Sequence, residues 1–146
     1  MLMTDSLDLT VRKVVHVETG IERAFDVFTH GMPGWWPVAT HSLAEGELAV
    51  DWHVGGVAVE TADGARHEWF DVLEYDPPRT VAWRWRVNPQ SPPTHVRVSF
   101  TEDGDGTRVE IVHTGWEAYG DAAAESSASY NDGWGTVLGH FAGAAV

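Results

Sequence analysis

The chain has 146 residues and no cysteine, which is one domain's length and excludes disulfides, thiolate metal sites and cysteine nucleophiles. Nine Lys and Arg against 22 Asp and Glu give a net charge of −13, a field that repels nucleic-acid phosphates and anionic lipid headgroups, so neither nucleic acid nor a membrane is an expected partner. An apolar fraction of 43% with eight Trp implies a real core beneath that charge.

No apolar stretch approaches the roughly 20 residues of a membrane span. The first ten residues carry Asp5 and Asp8 without the basic and then apolar run of a signal peptide, so a cytoplasmic location is expected. Residues 1–146 are expected to form a single domain, with disorder confined to about residues 1–6.

Residues 7–17 alternate, with Leu7, Leu9, Val11, Val15 and Val17 on one side and Asp8, Thr10, Arg12 and His16 on the other, the pattern of a half-buried strand. Thr19 then stands three residues before Glu22, a capping-box spacing, and Ile21, Ala24, Phe25 and Phe28 follow at helical intervals. This short helix is expected to stop at Gly31. Residues 31–37 hold Pro33, Trp35, Trp36 and Pro37, an irregular turn or scrap of helix pinned by two indoles.

From residue 47 the period becomes two. Leu48, Val50 and Trp52 alternate with polar or small neighbours, Gly55-Gly56 breaks the run at a bulge or bend, and residues 57–61 resume it as far as the Ala62-Asp63-Gly64 turn. Residues 66–75 form a third extended run, closed by Asp76-Pro77-Pro78. Val81, Trp83, Trp85 and Val87 are expected to face the core, with Arg84 and Arg86 in water. After the proline-rich loop at 88–93, Val96, Val98 and Phe100 alternate with His95, Arg97 and Ser99. The tetrad Asp103-Gly104-Asp105-Gly106 signals a hairpin into Val109, Ile111 and His113, with Arg108 on the outer face. Beyond Asp121 the strand pattern ends, and Tyr130, Trp134, Val137, Leu138 and Phe141 form one stripe of a long helix.

One strand, short helices, six further strands and a long C-terminal helix make an α+β domain, with a curved antiparallel sheet against the helix. The helix is bulky in its second half, whereas residues 122–129 are only Ala, Ser and one Glu. Such small side chains opposite a tryptophan-rich sheet predict a void, with Ala124 or Ala128 turned inward.

Several short motifs carry a resemblance over nearly the whole chain. They are Phe25 and Phe28 in the first helix, Trp35-Trp36-Pro37 followed by His41, Val54-Gly55-Gly56, Tyr75-Asp76-Pro77-Pro78-Arg79 leading into Val81 and Trp83, Gly106-Thr107-Arg108-Val109 leading to His113, and Gly133-Trp134 in the last helix. In their order and spacing the chain resembles the SRPBCC (START-like, helix-grip) superfamily and, within it, the activator of Hsp90 ATPase homologue 1-like family. The resemblance implies a helix-grip fold, with the sheet wrapped around the C-terminal helix.

His113 lies in phase with Val109 and Ile111 and so points toward the helix. There it could orient a ligand or act as a base, or else sit as a core histidine bonded to Tyr130 or Asp71. Trp83 and Trp85 alternate on one strand face as core filling or as the floor of an aromatic site, and Trp52, Trp69 and Trp134 could line the same space. Trp35 and Trp36 would cap the mouth or plug the end of the sheet.

Eight His raise the question of a metal, but no ligand spacing supports one, and the nearest grouping, Asp51 and His53 with His67 on the next hairpin, matches no known set. No metal and no cofactor are expected. Ser126, Ser127 and Ser129 lack a paired base, so nucleophilic catalysis has no support.

The expected function is binding of a small hydrophobic molecule, aromatic or lipid-like, between sheet and C-terminal helix. Trp52, Trp69, Trp83, Trp85, His113, Tyr130 and Trp134 are the candidate contacts, the polar ones coming from His113 and Tyr130. The alternatives are an enzyme resembling the polyketide cyclases, which needs an acid–base pair in the pocket, and a chaperone-associated interaction module, which needs an exposed apolar patch. The protein is expected as a monomer or a homodimer.

Overall fold

The computed structural model describes residues 9–146. The expected terminal disorder at 1–6 and the strand start at Leu7 and Asp8 lie outside the described residues. The elements run β1 (Val11–Val17), α1 (Ile21–Phe28), α2 (Met32–Trp35), β2 (Glu47–Val50), β3 (Val57–Ala62), β4 (Ala65–Asp76), β5 (Thr80–Trp85), β6 (Thr94–Asp103), β7 (Gly106–Thr114), a 3-10 segment (Trp116–Ala122) and α3 (Ala123–Ala144). Among the described residues the strands form one antiparallel sheet in the order β1-β7-β6-β5-β4-β3-β2, so the first strand closes beside the last. All three helices pack on its concave side. This is the helix-grip fold expected from the sequence.

The period-two reading holds where the sheet is regular. Val81, Trp83, Trp85, Val98, Val109 and Ile111 are buried, while Arg84, Arg97 and Arg108 are exposed. Arg86, expected in water, is half-buried because its guanidinium lies against Asp71 and Glu68. β5 ends at Trp85, two residues early, and leaves Val87 in the loop beyond.

Register shifts at Ala58/Val59 and at Val72/Glu74 bend the sheet around the helices. The first lets two successive residues of β4, Trp69 and Phe70, both turn inward, which a uniform alternation forbids. Gly55 adopts φ +89°, and a Cβ on Gly56 would come within 1.8 Å of the Asp51 carbonyl oxygen, so the bend before β3 needs both glycines.

Two local expectations change. The capping box at Thr19 and Glu22 does not form. Gly20 is the N-cap of α1 with no side-chain bond, and the Thr19 carbonyl instead accepts a hydrogen bond from the Thr107 hydroxyl at 2.8 Å. Ala124 and Ala128 are exposed, and it is Ala123 and Ser127 that face inward. At about 100° per residue, one position off the Tyr130–Trp134–Val137 stripe turns a side chain out of the interface.

The core is aromatic. Phe28 stands edge-on to Phe100 and Phe141 at centroid distances of 5.6 and 5.2 Å, and Phe70 stacks on Trp83 at 4.4 Å. These offset and edge contacts fill the space between α1, α3 and the middle of the sheet. Trp83 and Trp52 belong to this packing.

Candidate functional site

A cavity of about 420 Å³ opens beyond the aromatic core, within the roughly 300–1,000 Å³ range of small-molecule sites. Three elements build it. The sheet contributes Trp69 from β4 and Trp85 from the end of β5 with Val87 from the loop beyond, α3 contributes Ser129, Tyr130, Gly133, Trp134 and Val137, and the loop after α2 contributes Trp36 and residues 40–43. Four indoles enclose it: Trp36 lies 5.2 Å from Trp69 and stands at 90° to Trp134 at 5.9 Å, while Trp85 lies 6.2 Å from Trp69.

Each wall is held by a specific bond. Trp36 donates its N–H to the His41 carbonyl at 2.7 Å, which curls the loop back over the opening. The Ser42 hydroxyl donates to the Val38 carbonyl and accepts from the Glu45 N–H. Glu60, fully buried on β3, anchors the loop's far end: its carboxylate accepts the backbone N–H groups of Leu43, Ala44 and Gly46 at 2.9, 3.0 and 2.7 Å and the Trp69 indole N–H at 3.1 Å. Burial alone would push this carboxyl up, but the four donors outweigh it and hold its pKa below the ordinary glutamate value.

Of the seven expected contacts, Trp69, Trp85, Tyr130 and Trp134 line the cavity, whereas Trp52, Trp83 and His113 do not. His113 is instead a core histidine with both nitrogens engaged. Its Nδ1 accepts the Trp134 indole N–H at 3.0 Å, and since that N–H can only donate, the ring proton sits on Nε2 and is given to the Thr94 hydroxyl at 2.6 Å. Neither Tyr130 nor Asp71 is its hydrogen-bond partner. Asp71 faces outward and takes Arg84 and Arg86. Burial, with a smaller effect of the His95 charge, lowers the His113 pKa from 6.5 to about 3, so the imidazole is neutral near pH 7.

The void expected under the small half of α3 is closed. Trp116, which no periodicity in the sequence marks, is fully buried between the rings of His113 and Tyr130 at 4.4 and 5.0 Å, carried there by the 3-10 segment. That segment turns at Gly120, where φ is +60° and ψ −126°, a conformation suited to glycine. The opening lies one turn further along α3, over Gly133. A Cβ there would meet only the His41 ring at 3.8 Å, so the missing side chain is part of the space. Gly133 beside Trp134 and His41 after Trp35-Trp36-Pro37 were the available sequence signals, whereas Thr40, Ser42 and Leu43 offered none.

Asp51 and His53 form an exposed pair at 3.2 Å, and among the described residues no three His, Asp or Glu side chains gather as a metal site. No helix of the described residues is long and apolar enough to cross a membrane.

A curved antiparallel sheet gripping a C-terminal helix, with a cavity between them, defines a START-like domain of the SRPBCC type. The chain belongs to the activator of Hsp90 ATPase homolog 1-like family, whose model matches residues 18–145. Among solved structures it is similar to the self-sacrificing resistance protein CalC from Micromonospora echinospora, with a TM-score of 0.71 and 27% identity over 93% of each chain. It is similar also to the anthrahydroquino-gamma-pyrone synthase Txn09 complexed with SUM, with a TM-score of 0.53 and 36% identity over 78% of this chain and 81% of that one. The Aha1 dimer from Colwellia psychrerythraea shares the fold, with a TM-score of 0.65 and 18% identity over 88% of this chain and 90% of that one. No curated protein matches the chain.

Proposed function

We propose that the protein is a cytoplasmic module that binds a small, flat, hydrophobic molecule in the cavity between β4, β5, α3 and the loop at 36–43. The observation that carries this reading is the enclosure itself: four indoles and the Tyr130 ring surround the space, and no Asp, Glu, Lys or Arg lines it. Such walls favour aromatic ligands by area and by ring contacts, and disfavour anionic ones. The likeness to Txn09, named for an aromatic product, supports the same ligand class.

Native mass spectrometry of protein purified from its own host tests the reading directly, with a co-purifying small molecule expected. In a reconstituted assay, the neutral fluorophore N-phenylnaphthylamine should bind and quench tryptophan emission. Gly133→Phe, which projects a ring from α3 into the cavity, should abolish that binding while leaving circular dichroism unchanged. Binding that survives Gly133→Phe would place the probe elsewhere and sink the proposal.

Turnover of such a ligand is the second reading, favoured by the 36% identity to a synthase. Tyr130 and His41 are the titratable groups in the lining. An interaction surface has less support, because among the exposed large apolar side chains of the described residues Val14 on β1 is separated from Leu73 on β4 by three strands.

A further inference from the structure

The polar inventory of the cavity narrows the ligand beyond hydrophobic and flat. All four indole N–H groups in the wall are committed within the protein: Trp36 to the His41 carbonyl, Trp69 to Glu60, Trp85 to the Tyr130 hydroxyl oxygen at 2.7 Å, and Trp134 to His113. An indole has one N–H and no acceptor, so these rings offer a ligand only carbon. The Ser42 hydroxyl is likewise occupied on both sides.

Of the other polar groups in the lining, Thr40 and Ser129 are exposed and the His41 ring bonds the Thr40 hydroxyl through Nδ1 at 2.7 Å, whereas Tyr130 is a half-buried hydroxyl on the wall with its donor unused. Its oxygen accepts from Trp85, but among the described residues no acceptor takes its own proton. Burial raises its pKa above the usual 10, so the proton is present at neutral pH. A hydroxyl that already accepts one hydrogen bond is polarised into a better donor. An uncompensated donor on a partly dry wall is a position that a ligand oxygen would satisfy.

The geometry points to an uncharged aromatic ligand of the ketone or quinone class, docked with one carbonyl oxygen on the Tyr130 hydroxyl. The inference rests on the binding reading above and sharpens it. The absence of Lys and Arg from the lining argues against a carboxylate in that place, which would be buried without a counter-charge, and the outward donor of Tyr130 calls for an acceptor and not an ammonium.

The test uses two probes of the same shape, anthracene and anthraquinone, which differ in the carbonyl groups. Their affinities are measured by tryptophan quenching on Trp85→Phe and on Trp85→Phe/Tyr130→Phe. The Trp85→Phe background prevents a freed indole N–H from replacing the lost hydroxyl. Between these two variants the ratio of anthraquinone to anthracene affinity should fall about tenfold, the effect of one buried hydrogen bond, with anthracene binding held within about twofold. Retained anthracene binding also shows that the double variant folds with its cavity intact. A ratio unchanged by the second substitution overturns the inference, as does a wild-type protein that binds anthracene but not anthraquinone; both outcomes leave the aromatic cavity standing. Failure of wild type to bind either probe overturns both the inference and the reading beneath it.

Discussion

His113 is held neutral in the core because Trp134 occupies its acceptor nitrogen, Thr94 takes its proton, and no water reaches the ring. In the unfolded chain the group protonates near 6.5, but in the fold only near 3, so the unfolded state binds the extra proton throughout the interval between them. Stability from this group is complete above 6.5 and is lost as the pH falls through that window, at a slope of about 1.4 kcal/mol per pH unit. Urea midpoints taken from about pH 7 to about pH 5 should therefore decline for the wild type and decline less for His113→Gln, which cannot titrate. Equal slopes for the two proteins would mean that His113 is hydrated in solution. The inward direction of His113 was readable from its phase with Val109 and Ile111, whereas its partners, 19 and 21 residues away, were not.

At the scale of the element, the loop at residues 36–46 depends on one buried carboxylate. Glu60 lies on β3 opposite His67, and its alternation with Ala58 turns it inward, where an unpaired charge would be expelled. Four N–H donors make the position tenable, and the same four bonds fix the loop and orient Trp69 in the cavity wall. Glu60→Gln replaces one acceptor oxygen by a donor, which orphans two N–H groups at about 1–3 kcal/mol each. The variant should unfold at lower urea than the wild type at neutral pH and bind N-phenylnaphthylamine more weakly, since both a wall and its loop are loosened. Because the Glu60 pKa is lowered in the fold, its contribution is present above the ordinary glutamate value of 4.5 and is lost as the pH falls through the folded pKa. The stability gap between the two proteins should accordingly be constant above about pH 4.5 and narrow as the pH falls below it.

Across the whole molecule the net charge of −13 works against compactness, since like charges approach one another on folding. Part of it is relieved on the outer face of the sheet, where Arg84 and Arg86 bracket Asp71 and Arg97 pairs with Glu74. These pairs are substantially exposed and each contributes little, about 0–1 kcal/mol. Screening the unpaired excess should then outweigh weakening the pairs, and thermal unfolding at neutral pH should move to higher temperature on adding about 0.5 M sodium chloride. A lower melting temperature in salt would show that the ion pairs of β4, β5 and β6 dominate.

Order of elements, antiparallel pairing and the inward set of β5, β6 and β7 were legible in the sequence because alternation is a local property, repeated over enough residues to survive small errors of boundary. The resemblance carried by residues spread from Phe25 to Trp134 pointed to the same fold. The cavity was misplaced by one helical turn, since the rotation of α3 is set by the stripe from Ala123 to Phe141 as it packs, and small residues leave no void where a neighbour fills it. That neighbour, Trp116, arrives through a 3-10 segment with no periodicity of its own. The inward turn of both Trp69 and Phe70 required the register shift beside β3, and burial of Glu60 required donors from a loop 14 to 17 residues away. Local pattern therefore determined which face of each regular strand is dry. Only tertiary structure decided which polar groups inside it are paired, because their partners are brought together by chain closure and not by spacing.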